Sequence, residues 1–309
     1  MRRPLEVVTV TPNPAIDWTV DVPGFTAGAV NRVAGQRSRA AGKGVNVAAA
    51  LADHGLAVAA TGFLGRGNAA PFEALFARKG IADRFVRVAG ETRVGIKIVD
   101  PEKRETTDVN FPGPEVAPEE VRSLLERVAE LSSVDPGPWF VLAGSLPPGV
   151  EATLYRDLVR ALREAGCRTV LDASGEALRD ALDAAPGVVK PNVHELEALL
   201  GRSLPTVEAV VEAARLLLAR GVGLAVVSMG AEGALFVRED AVVQAVPPGV
   251  EVRSTVGAGD AMVAGIVAGE LAGLPLAETA RLATAFSLAA LTGADAGALM
   301  EGIGLRHIV

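Results

Sequence analysis

Residues 7–22, VVTVTPNPAIDWTVDV, contain both kinds of strand on which the fold depends. Val7 to Val10 is almost wholly apolar and reads as a strand covered on both faces, as in a parallel sheet. TPNPAID (11–17) then breaks the run with turn-forming and hydrogen-bonding residues. In DWTVDV (17–22), Trp18, Val20 and Val22 alternate with polar neighbours, the period of a half-exposed strand.

Working outward, the first kind recurs at Trp139–Ala143, Thr169–Leu171, Val188–Val189 and Leu224–Val227. Helical patterns lie between these runs. Pro118 opens one with Val121, Leu124, Leu125, Val128 and Leu131, and Thr206 opens another with Val207, Val210, Val211, Ala214, Leu217 and Leu218. The alternation predicts an α/β fold with a mostly parallel central sheet flanked by helices. The second kind recurs in VGIKIV (94–99), and ETTDVNF (105–111) alternates loosely. These strands suit a small antiparallel sheet, read as a lid inserted from about 16–34 and 92–112. With no linker tract and no internal repeat, residues 1–309 read as a single domain.

Of 309 residues, 50% are apolar and 22% charged, enough to bury a core and to exclude a disordered chain. The net charge of −7, with no run of five basic residues, argues against nucleic acid as a partner. Cys167, the one cysteine, cannot form an internal disulfide and reads as a small buried residue in a reducing compartment. Glu6 interrupts any apolar leader, and no uncharged segment is fit to span a bilayer, so no membrane partner and a cytoplasmic location are expected. The 34 glycines against 12 aromatics raise the question whether glycines stand where backbone meets a ligand.

In open α/β sheets, ligands bind beyond the carboxyl ends of the strands. In STVGAGDAMVAGIVAGEL (254–271), Gly257, Ala258 and Gly259 lead into a helix whose unpaired N–H groups and dipole favour a phosphate or a developing anion. Asp260 beside them is placed to take a hydroxyl proton, or is simply a favourable first-turn carboxylate. A carboxylate so placed is expected to have a low pKa. In AAGKGVNVAAALADHG (40–55), Gly42 and Gly44 admit close backbone approach, Lys43 offers a point charge and Asn46 suits a sugar hydroxyl. Gly44 follows the lysine, so this is not the G-x-x-x-x-G-K-[ST] loop. In KPNVHELEALL (190–200), Asn192 and Glu195 form a capping-box pair or place Glu195 near a Mg²⁺ held through water. GRGNAA (65–70) matches a dinucleotide fingerprint but lies well after the first strand, which disfavours a dehydrogenase. Arg93 and Lys97 on a lid strand are either solvated or poised to meet an anionic substrate.

Together these motifs resemble the ribokinase-like, phosphofructokinase-B carbohydrate kinases. STVGAGDAMVAG resembles their C-terminal signature, GKGVNVAAALADHG with GFLGRGN their N-terminal one, and GSLPPG, KPNVHELE and VVSMGAEGA follow in family order. TPNPAID, TRVGIKI and VNFPG bring the set closest to kinases of fructose 1-phosphate. The resemblance implies a ribokinase-like fold, a β-sheet lid that pairs in a homodimer, and transfer of the ATP γ-phosphoryl group to the C6 hydroxyl of fructose 1-phosphate. It makes Asp260 the catalytic base and Gly257–Ala258–Gly259 the anion hole. Asp17 is expected to hold sugar hydroxyls with Gly42, Gly44 and Asn46; Lys43, Arg93 and Ser145 the substrate's own phosphate. Lys97 and Asn110 are further lid candidates. Lys190, Asn192 and Glu195 are expected to face the nucleotide phosphates and Mg²⁺, and Ser228, Gly230, Ala231, Glu232 and Gly233 to line the ATP site together with Gly259. Met229 stands where Leu is usual and Asn68 where many relatives carry Asp. The same motifs fit a kinase of tagatose 6-phosphate or fructose 6-phosphate; a non-catalytic sugar-phosphate sensor would have no need to keep Asp260.

Overall fold

The apolar runs become strands whose alternate side chains enter two separate cores. In the computed structural model, which describes residues 4–251 and 256–308, Val7 faces one core while Val8 and Val10 face the other. Val141 and Ala143 likewise oppose Phe140 and Leu142. Both faces are covered, so these strands are largely apolar, and the few polar side chains on them, such as Thr9 and Asp172, are buried.

The strands in chain order are β1 (Val7–Thr11), β2 (Ala15–Asp21), β3 (Gly35–Ala41), β4 (Val58–Gly65), β5 (Ala82–Asp83), β6 (Val86–Val88), β7 (Arg93–Asp100), β8 (Glu105–Asn110), β9 (Trp139–Ala143), β10 (Thr169–Asp172), β11 (Val188–Val189), β12 (Leu224–Ser228), β13 (Ala234–Val237), β14 (Val242–Val246) and β15 (Gly304–His307). Among the described residues, the larger sheet runs β15-β14-β13-β12-β11-β10-β9-β1-β4-β5, with β6 also paired to β4. It is parallel from β12 across to β5 and antiparallel at the β13–β15 edge. The helices are α1 (Lys43–Asp53), α2 (Ala70–Lys79), α3 (Pro118–Ser132), α4 (Leu154–Glu164), α5 (Gly175–Leu182), α6 (Val193–Leu200), α7 (Val207–Leu218), α8 (Ala258–Leu271), α9 (Leu276–Thr292) and α10 (Ala296–Leu299). Residues of α1, α2, α8 and α9 fill one face of the sheet, and those of α3 to α7 fill the other.

Helices α8 and α9 pack so closely that a Cβ on Gly265 would lie 2.5 Å from the Ala283 Cα. The small residues of AMVAGIVAG therefore serve backbone-to-backbone approach.

The smaller sheet has the order β3-β2-β7-β8. Two expectations need correction. GQRSRAA (35–41), too polar to show an apolar period, forms β3, so the first lid stretch runs past residue 34. The sheet is also mixed, because β2 and β7 pair in parallel. Its register separates two faces. Arg39, Asp17, Gly95 and Asn110 share one cross-strand row, with Arg37, Thr19, Lys97 and Asp108 in the next row on that face. Trp18, Ile96 and Val109 form a row on the opposite face, as do Val20 and Ile98.

Candidate active site

Helix α8 starts at a glycine in the left-handed region. Gly257, with φ of 83°, is its N-cap, so the N–H groups of the GAG turn open toward the carboxyl ends of the strands. Ser254 and Thr255, which begin the motif, lie outside the described residues. Asp260 sits in the first turn and is only 8% exposed. The Asn46 amide, one turn into α1, donates to its Oδ2 at 2.7 Å. Asn46 was expected on a sugar hydroxyl; the structure places its Nδ2 on the Asp260 carboxylate.

The expected low pKa of Asp260 is overturned. Burial, then the charge of Asp172, push its carboxyl up to about 6, against the Asn46 hydrogen bond and the charges of Lys43 and Lys190. Desolvation exceeds the helix-end effect because the carboxylate has lost nearly all contact with water.

Asp172, at the end of β10, is 1% exposed and stands between two cations. Lys43 Nζ lies 2.8 Å from its Oδ1 and Lys190 Nζ 3.6 Å from the same oxygen. Burial alone would raise the Asp172 carboxyl, but Lys190 and Lys43 hold it below its usual value. Burial would lower the Lys43 amine, yet Asp172, with Glu195 and Asp260, keeps it above its usual value. The Lys190 amine reaches the GAG turn, since a Cβ on Gly259 would lie 3.6 Å from its Nζ. Lys43 is the first residue of α1, and Gly42 before it has φ of 120°; a Cβ there would lie 2.9 Å from the Pro14 Cα. Only glycine fits that close turn.

On the lid side, Asp17 and Asn110 flank Gly95, where a Cβ would come 3.3 and 3.2 Å from their side-chain oxygens. Arg93 donates to the carbonyls of Asn13 and Phe111, both at 3.3 Å, and burial lowers its pKa. Asn13, 4% exposed, donates to the Pro112 carbonyl at 2.9 Å and to Ser145 Oγ at 3.3 Å. Lys97 pairs with Asp108 at 3.0 Å. A cavity of about 470 Å³ lies between this polar lid face and the α8–α9 layer, lined by Asp17, Arg37, Arg39, Lys97, Val256 and Ala290.

On the other side, Asn192 caps α6. Its Oδ1 accepts from the Glu195 N–H at 2.8 Å, and its own N–H donates to Glu195 Oε2 at 2.9 Å. The capping box is therefore real, and both residues also line a cavity of about 310 Å³ with Ser174, Gly175 and Arg179. A β-bridge joins Asn192 to Ser228. Gly230, Ala231 and Glu232 form an exposed 3₁₀ turn closed by Gly233, and they line neither cavity. Asn68 binds the Thr92 backbone in both directions, at 2.8 and 2.9 Å, so it anchors the start of the Arg93 strand.

The structure thus gathers Asp260, Gly257–Gly259, Asn46, Lys43 and Lys190 at one point, and gathers Asp17, Asn110, Arg93 and Lys97 on the lid. Sequence reasoning passed over Asp172, Asn13 and Gly95. The first two had a usable signal, a polar residue at or just beyond the carboxyl end of a buried strand.

The profile described as pfkB family carbohydrate kinase matches residues 9–301. A 1-phosphofructokinase of Rhodobacter capsulatus is 53% identical over 289 residues, 93% of this chain and 90% of the relative. One from Escherichia coli K12 is 42% identical over 292 residues, 94% and 92%. Among solved structures, Escherichia coli phosphofructokinase-2 in complex with substrates and products superposes with a TM-score of 0.90 at 31% identity, covering 96% of this chain and 99% of that one. A Thermotoga maritima protein described as a possible 1-phosphofructokinase gives 0.87 at 31% identity, covering 98% and 100%.

Proposed function

The chain belongs to the pfkB family of carbohydrate kinases, and from that premise we propose that it transfers the γ-phosphoryl group of ATP to the C6 hydroxyl of fructose 1-phosphate, giving fructose 1,6-bisphosphate and ADP. One observation carries the reading: a buried carboxylate, Asp260, set at a helix N-terminus within the field of two lysines. The names of the 1-phosphofructokinase relatives favour fructose 1-phosphate within the family.

In the mechanism, the O6–Pγ bond forms as the bond from Pγ to the ADP oxygen breaks, and the O6 proton passes to Asp260. With its pKa near 6, Asp260 is ionised at neutral pH yet a better base than an ordinary aspartate. The N–H groups at the start of α8 stabilise charge on the transferring group, and Lys190 adds a cation beside Gly259. Asp17 and Asn110 hold the sugar from the lid, and Lys43, Arg93 and Ser145 take its 1-phosphate. Asn192, Ser228 and the Gly230–Gly233 turn receive the nucleotide.

The donors suit a magnesium ion held through water. Glu195 spends Oε2 on the Asn192 N–H and offers its other oxygen. When bound, the ion neutralises charge on the nucleotide phosphates.

The apolar lid face, with Trp18, Val109 and Phe111 exposed, supports a homodimer built through the lid. Among the described residues no single helix is long and apolar enough to cross a membrane, in keeping with a cytoplasmic enzyme formed as one kinase domain with an inserted lid.

Coupled ADP release with Mg-ATP across fructose 1-phosphate, fructose 6-phosphate, tagatose 6-phosphate and fructose tests the reading. The expected result is a clear preference for fructose 1-phosphate. Preference for another ketose phosphate would overturn the substrate and leave the kinase.

A further inference from the structure

Asp172 is buried more completely than any group assigned above to the chemistry, and it touches two of them. Its side chain is 1% exposed, Lys43 and Lys190 both approach its Oδ1, and its Oδ2 has no hydrogen-bond partner among the described residues. A buried carboxylate that spends one oxygen on two ammonium groups and leaves the other bare is costly as mere scaffolding. An apolar residue at this strand end would fill the volume without that cost.

The two lysines come from different segments and serve opposite ends of the reaction. Lys43 opens α1 beside the lid, while Lys190 follows β11 and reaches Gly259 at the start of α8. An ammonium on a four-carbon stem has many rotamers, and fixing two of them without a common anchor costs conformational entropy. Strand β10 lies between β9 and β11 and brings a carboxylate to the midpoint.

We propose that Asp172 is the positioning residue of the active site, a buried anion that fixes Lys43 on the sugar phosphate side and Lys190 on the nucleotide side. The proposal rests on the kinase reading above and adds a residue and a role to it. The groups facing Asp260 are Asn46 and Lys43 from α1, Asp172 from β10 and Lys190 after β11. Those facing Asp172 are Lys43, Lys190, Asp260 and, from α4, Tyr155, whose hydroxyl donates to the Gly144 carbonyl. Removing the Asp172 charge takes away an anion near Asp260 and leaves two cations uncompensated. Both changes favour the ionised base, so the acidic limb of the kcat–pH profile must move to lower pH.

The experiment compares wild type, Asp172→Asn and Asp172→Glu, using the ketose phosphate that the wild type turns over fastest. A wrong substrate assignment then shows in the wild type before any variant is compared. For D172N the expected result is a fall in kcat of about tenfold or more, higher KM for both sugar phosphate and ATP, and an acidic limb lowered by about half a pH unit or more. D172E, which keeps the charge, is expected to leave the limb at the wild-type position and to recover part of kcat. Wild-type constants in D172N would overturn the proposal. So would a fall in kcat with both KM values and the limb unmoved, the mark of a merely structural role. Should D172N fail to fold, D172E decides: a wild-type limb with raised KM values supports the anchor, and either a shifted limb or wild-type KM values overturn it.

Discussion

At the scale of single residues, the tension is between what α8 offers a carboxylate and what burial takes from it. A helix N-terminus stabilises an anion by about 0.3–1 kcal/mol, whereas moving Asp260 from its ordinary 3.8 to about 6 corresponds to on the order of 3 kcal/mol. Desolvation wins, and the sign of the pH dependence follows. The folded pKa exceeds the unfolded one, so the unfolded chain gives up its proton first. The stability penalty is absent below about pH 4, grows as pH rises through the interval, and is complete above about pH 6. The proposed mechanism requires the ionised form, so activity is expected to rise through that same value. Asp260→Asn is therefore expected to lower kcat by on the order of 10²-fold or more while ATP still binds. The same variant should unfold at a higher temperature than wild type at pH 7 and lose that advantage near pH 4. Initial rates, isothermal titration with ATP and thermal melts at both pH values check the pair. Wild-type turnover in D260N would remove Asp260 from the chemistry, and equal melts at pH 7 would refute the burial cost.

At the scale of elements, glycine and alanine do different work in different helices. Gly265 and Gly269 of α8 face α9, where added Cβ atoms would lie 2.5 Å from the Ala283 Cα and 2.9 Å from Thr279. Gly265→Ala gains helix propensity of up to about 1 kcal/mol but forces two backbones apart, at about 1–3 kcal/mol for overpacking. The second effect is larger. Gly265→Val is expected to lower the melting temperature by several degrees and more than Gly265→Ala does, as read by circular dichroism; an unchanged melt would mean that the helices are not in close contact. This packing bears on what the sequence could reveal. The doubly buried strands were legible because two covered faces demand continuous apolar residues, as in Val7–Val10 and Trp139–Ala143. The GAG turn and Lys43 were legible because helix starts carry local signals. Strand β3 was not, since GQRSRAA has only its edge residues Gly35, Ala40 and Ala41 even partly buried and keeps no apolar period. The Asn46–Asp260 contact was illegible for another reason. Residues 46 and 260 are 214 positions apart, and no local pattern encodes a meeting made by sheet order.

At the scale of the whole molecule, the lid sheet is covered on one side only. Its polar face, with Asp17, Arg39, Lys97 and Asn110, closes over the cavity in front of α8 and α9. Its other face carries Trp18, Ile96 and Val109 in a row, with Val20 and Ile98 beside it, and Phe111 half exposed just beyond. Four strands with one hydrophobic face left in water would be a liability for a protein of this size, and the proposed homodimer would cover two such faces by a twofold axis. The pleat links this contact to the site, because Trp18 and Asp17 are neighbours on opposite faces of β2. Holding the apolar row fixed also fixes the row proposed to meet the sugar. Trp18→Ser combined with Phe111→Ser is therefore expected to convert a dimer into a monomer in light scattering at micromolar concentration. It should also raise KM for the sugar phosphate several-fold, while KM for ATP, whose proposed residues Asn192, Ser228 and Gly230–Gly233 lie outside the lid sheet, changes little. A double variant that stays dimeric would move the interface elsewhere. A monomer with an unchanged sugar KM would show that the lid holds its shape alone.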